Sequence, residues 1–97
     1  SVLLMLADEF PELGRVSPKQ LSGTAVSLAL FVADVDGFVQ RAVAAGATLK
    51  RPIQDEFYGQ RVGHLCDPFG HRWSVHTDRE ALSDQEIQRR YAELTGA

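Results

Sequence analysis

The chain has 97 residues, 44% of them apolar and 24% charged, which is the balance of an ordinary globular domain with room for one core. Its formal charge of -3 and scattered basic residues exclude the clustered basic face that nucleic acid requires. No run approaches the ~20 apolar residues of a membrane span, and the single cysteine, Cys66, excludes an internal disulfide and fits a cytoplasmic setting.

Residues 2–6 form a short continuous apolar run, consistent with a strand covered on both faces. Asp8-Glu9-Phe10-Pro11 ends it, because proline lacks a donor and biases its predecessor to extended geometry. Residues 12–24, rich in Gly, Ser, Pro, Lys and Gln, read as a loop. Residues 26–32 give the clearest strand. Period two places Val26, Leu28, Leu30 and Val32 on one face and Ser27, Ala29 and Phe31 on the other.

A helix follows, capped by Asp34 or Asp36. Val35, Phe38, Val39, Ala42 and Val43 make its apolar stripe, and Gly46 stands where a left-handed glycine would end it. Residues 47–51 read as a further strand, stopped by Pro52.

Residues 60–77 read as a hairpin turning at Asp67-Pro68-Phe69-Gly70, whose residue types suit a type I turn. A four-residue turn sets Cys66 opposite His71, His64 opposite Trp73 and Val62 opposite Val75. Arg61, Gly63, Leu65, Arg72, Ser74 and His76 then share the other, more polar face, while Cys66 falls in the core beside Val62 and Trp73. In the tail, Ser83-Asp84-Gln85-Glu86 is a capping box flanked by the staple pair Leu82 and Ile87. It opens a helix from 84 to about 94, with Ile87, Tyr91 and Leu94 on one stripe.

The order is βαβββ, and the residues that fill it resemble the glyoxalase/bleomycin-resistance/extradiol-dioxygenase (vicinal oxygen chelate) superfamily, in its phosphonate-cluster glyoxalase-like branch. The resemblance lies in residues 25–36, in Arg41-Ala42-Val43-Ala44-Ala45-Gly46-Ala47, in Phe57-Tyr58-Gly59, and in the Asp67-Pro68-Phe69-Gly70-His71-Arg72-Trp73 hairpin. It implies an α+β fold with a curled mixed sheet, an N-terminal extra strand and a C-terminal helix. Residues 1–10 are then the strand remnant of a first module, 11–24 a linker, 25–80 the βαβββ module and 81–97 the C-terminal helix. Family members pair two modules around a cup. One module alone leaves a half-apolar face open, so the expected partner is a second copy, with exchange of the 2–6 strands as one route.

The resemblance also locates the metal ligands of metal-using members, at positions occupied here by Ala29 and Ser74. Alanine has no donor and a lone hydroxyl is a poor ligand, so no metal or other cofactor is expected. His64 and His71 on one face and His76 on the other would not converge on an ion. The expected ligand-binding set is Ser27, Ala29, Phe31, Tyr58, Arg61, Leu65, Arg72, Ser74 and His76, with His76 the candidate base and either arginine a clamp for an anionic group. These expectations define a metal-independent small-molecule binding protein. The alternatives are a metal-dependent lyase, isomerase or dioxygenase, or a cofactorless enzyme using His76 and an arginine.

Overall fold

A computed structural model describes residues 3–96. A 3-10 turn at Pro11–Leu13 precedes β1 (Ser27–Phe31), α1 (Val35–Ala44), β2 (Thr48–Asp55), β3 (Gln60–Cys66), β4 (Arg72–Asp78) and α2 (Asp84–Thr95). The strands form one open, curled mixed sheet in the order β1-β4-β3-β2, in which β1 runs parallel to β4 and the other pairs are antiparallel.

Helix α1 forms where its signals place it. The Asp34 carboxylate accepts the Gly37 N–H, and the left-handed Gly46 closes the other end. The Gly46 N–H donates to the Val43 carbonyl and the Ala47 N–H to the Ala42 carbonyl, the paired bonds of a Schellman ending. Asp36 is not the cap. Its carboxylate receives Arg61 instead.

Val35 and Val39 of α1 press onto Leu65 and Val75, all four at most 4% exposed, with Val32, Phe38, Ala42, Ile53 and Trp73 packed around them. Full burial of each such side chain contributes roughly 1.5–3 kcal/mol. Gly63 lets the helix approach, since a Cβ there would stand 3.2 Å from Val39 Cγ2 and 3.3 Å from Ile53 Cγ1. The Thr77 hydroxyl fastens the β1–α1 turn to the sheet by accepting the Val35 N–H and donating to the Val32 carbonyl.

The hairpin register differs from the sequence expectation by one residue. The type I turn is present, with the Gly70 N–H donating to the Asp67 carbonyl. Gly70, however, is left-handed (φ +92°) and adds a bulged residue, so the Asp67 N–H pairs with the His71 carbonyl and Cys66 faces Arg72. His64 therefore lies opposite Ser74 and Val62 opposite His76. The β3 faces invert as a result. Arg61, Gly63 and Leu65 turn toward α1, while Gln60, Val62, His64 and Cys66 turn to the open side.

Two further expectations are corrected. Strand β2 continues through Pro52 because it is an edge strand whose register breaks on either side of Arg51. Leu3–Leu6 pairs with no strand in the single chain and stays more than half exposed. Ser1 and Val2, the rest of that expected strand, lie outside the described residues.

The tail helix begins as expected, with Ser83 Oγ accepting the Glu86 N–H. Glu86 does not return the bond. Its carboxylate takes the guanidinium groups of Arg89 and Arg90, which hold it down at about 2. Arg90 also reaches Glu80 and the Phe57 carbonyl, tying α2 to the β2–β3 turn.

Candidate ligand-binding face

The sheet face away from α1 carries Ser27, Ala29 and Phe31 from β1, Arg72, Ser74 and His76 from β4, and Gln60, Val62, His64 and Cys66 from β3. Phe31 is 59% exposed, and its ring stacks on the His76 imidazole at 4.8 Å and 19°. Both imidazole nitrogens are engaged: Nδ1 lies 2.9 Å from Gln60 Oε1 and Nε2 2.9 Å from Ser74 Oγ. Gln60 Nε2 donates in turn to the Asp78 carboxylate at 3.1 Å. Burial, then the nearby His64, lowers the His76 pKa from its ordinary value against the opposing pull of Asp78, which favours the neutral ring.

Six of the nine expected ligand-binding residues, all those on β1 and β4, come together here. The two from β3 do not. Leu65, 4% exposed, is part of the core under α1. Arg61 clamps structure rather than facing the open side: its Nε and Nη2 make a two-point fork to Asp36 at 2.9 and 3.0 Å, and Nη1 reaches Asp55 at 3.1 Å. These bonds hold the Asp36 carboxyl below its usual range. Tyr58 sits in the β2–β3 turn, edge-on to Phe57 at 5.1 Å, and Phe57 packs on Tyr91 at 5.6 Å. Trp73 is in the core as expected, with its indole N–H donating to Asp67.

Gln60, His64 and Asp78 were missed, and so was the open-side position of Cys66. For Gln60, His64 and Cys66 the signal is the register, since a glycine after Asp-Pro-Phe supplies the left-handed residue of a bulged hairpin loop, whereas Asp78 continues the Arg72, Ser74, His76 alternation one position past the expected hairpin. His64 and His76 thus share a face, contrary to expectation, while His71 stays in the turn.

Ala29 and Ser74 are direct partners across the β1–β4 ladder, so the two positions that the resemblance assigns to metal ligation do meet. The donors do not fit an ion. One side chain is a methyl and the other a hydroxyl committed to His76. Among the described residues, no group of three or more His, Cys, Asp or Glu is placed to hold a metal.

A cleft of about 890 Å³ lies elsewhere, between residues 6–9, Arg15, Val16, Ser17 and the Leu28, Phe69, His71 and Trp73 side chains. Two of its carboxylates are engaged, while Asp8, Arg15 and His71 also line it. Glu9 accepts the Ser17 N–H, and Asp67 holds the hairpin. The open face differs in pairing an exposed aromatic ring, Phe31, with an ordered polar chain, which makes it the candidate site.

A βαβββ order with one curled, open four-stranded sheet defines a single module of this kind. Residues 2–75 match the family described as the Glyoxalase/Bleomycin resistance protein/Dioxygenase superfamily, and the chain belongs to it. It is 41% identical over 88 residues to an uncharacterized protein of Mycobacterium bovis, covering 88% of this chain and 58% of that one. Uncharacterized proteins of two Mycobacterium tuberculosis strains match at the same identity, with 52% of their length covered. The chain thus spans about half the length of the curated relatives it matches. Among solved structures, TioX from Micromonospora sp. ML1 is similar, with 34% identity and a TM-score of 0.51 over 57% of this chain and 45% of that one.

Proposed function

We propose that the open face is one wall of a cup that binds an apolar or amphipathic small molecule without a metal, and that a second copy of this chain supplies the other wall. The observation that carries this reading is Phe31, a 59%-exposed ring held flat against the hydrogen-bonded His76 beside Ala29 and Ser74. Small-molecule sites combine such apolar surface with a few fixed polar groups. Arg72, exposed and hydrogen bonded to the Thr24 carbonyl, adds a cationic rim.

The need for a second wall rests on shape and exposure. The radius of gyration is 16.4 Å, against about 13 Å for a compact chain of this size, and the dimensions are 51 × 28 × 28 Å. Leu3, Met5 and Leu6 are 78–84% exposed. The outer edge of β1 has unpaired backbone groups, which recruit a strand, and the Leu3–Leu6 segment of a second copy fits that role. The matched region fills only part of the longer relatives, which leaves length in them for a second module within one polypeptide.

A metal-dependent lyase, isomerase or dioxygenase is the second reading, favoured by one observation, that His64 and His76 share the open face. Thermal melts separate the two. Stabilisation by naphthyl or quinoline compounds with no response to Zn²⁺, Mn²⁺ or Ni²⁺ supports the metal-free cup, because ligands that bind only the folded state raise its melting temperature. A rise in melting temperature with micromolar metal, reversed by chelator, overturns it in favour of the second reading.

A further inference from the structure

The open face contains a hydrogen-bonded chain whose direction is fixed at one end. The Asp78 carboxylate can only accept, so the Gln60 amide turns its NH₂ toward it and its oxygen toward His76. That oxygen also can only accept, so the proton of the neutral imidazole must sit on Nδ1. Nε2 is then a lone pair, and the Ser74 hydroxyl donates its single hydrogen to it. Stacking on Phe31 holds the ring in the plane that both bonds need. Ser74 Oγ is left with lone pairs and nothing to donate, and its neighbour across the ladder, Ala29, presents a methyl group.

Resting on the cup reading above, we propose that Ser74 makes this face selective for ligands that bring a hydrogen-bond donor, an N–H or hydroxyl on an aromatic or amphipathic body, and selective against otherwise identical ligands that can only accept. The donor group sits over Ser74 Oγ, beside the Ala29 methyl, while the ring of the ligand extends over Phe31. A ligand offering only an acceptor meets oxygen lone pairs there and loses the water that Ser74 otherwise binds. His76 and Gln60 are positioning residues in this scheme, because they act by committing the Ser74 proton.

Two measurements on the intact chain test this. Nitrogen-15 NMR of the His76 imidazole at neutral pH reads the tautomer directly: protonated Nδ1 with bare Nε2 is expected, and protonated Nε2 overturns the proposal. Calorimetry with 2-naphthol and 2-methoxynaphthalene, which share a ring system but differ in the donor, reads the selectivity. Naphthol is expected to bind about fivefold tighter, the worth of one ordinary hydrogen bond. The preference should vanish in Ser74→Ala and shrink in Gln60→Leu, with both variants checked for a native melt. Equal affinity of the two probes for the native chain, or an undiminished preference in Ser74→Ala, overturns the donor selectivity while leaving the cup intact. Binding of neither probe overturns the cup reading and the selectivity with it.

Discussion

Asp67 fixes the hairpin register, and with it the set of side chains on the open face of the sheet. Its Oδ1 accepts the Phe69 and His71 N–H groups, both at 2.9 Å, and its Oδ2 accepts the Trp73 indole N–H at 3.0 Å. Burial opposes the charged form, but these three donors and the nearby His71 outweigh it and lower the Asp67 pKa. Asp67→Ala removes all three bonds. Net values run near 1 kcal/mol per bond and higher for bonds to a charged group, while the two turn amides partly regain water. The expected cost is about 2–4 kcal/mol. Against a total of roughly 5–15 kcal/mol, that is a large share, equivalent to a melting temperature lower by on the order of 10–20 °C. Asp67→Asn keeps the Oδ1 acceptor and loses the charge and the indole partner, so it should cost about half as much. Urea unfolding followed by Trp73 fluorescence measures both variants. A loss below about 0.5 kcal/mol for Asp67→Ala, the range of ordinary surface substitutions, would refute the reasoning.

Other consequences follow from the packing and the charges. Gly63→Val should destabilise by roughly 1–3 kcal/mol through overpacking against Val39 and Ile53, measured by the same unfolding curves. Arg61→Met should lower the melting temperature, by releasing Asp36 and Asp55, yet leave the affinity of any ligand of the open face unchanged in calorimetry, because Arg61 faces away from it. His76 has a folded pKa below its unfolded value of about 6.5. Its contribution to stability is therefore fully present above about 6.5 and is lost as pH falls through the folded value. Melts across that window should show the loss in the native chain and a reduced loss in His76→Gln.

The fold was largely legible because its signals are local. Asp34 and Gly46 bracket α1, Ser83 opens α2, and alternation across 26–32 sorted Phe31 and Ala29 from Leu28 and Leu30. What failed depended on matters that no local pattern encodes. A left-handed Gly70 inserts one residue into the hairpin, and a period of two turns that single residue into a full exchange of the β3 faces. Arg61 and Leu65 left the expected site for this reason, and His64 and Gln60 entered it. Asp36 read as a cap because its partner, Arg61, lies 25 positions away. Leu3–Leu6 read as a strand from its apolar run, but an apolar run does not by itself supply the pairing that makes a strand. Pro52 read as a stop, although an edge strand with a broken register absorbs it.

The most direct test of the account is the molar mass of the chain in solution, by light scattering, for the native protein and for Phe31→Asp. The account predicts a native mass twice the 10.7 kDa of one chain, and a return to 10.7 kDa when a charge is placed on the open face. A native mass of 10.7 kDa, or a dimer indifferent to Phe31→Asp, would contradict the claim that two copies close their open faces on one another.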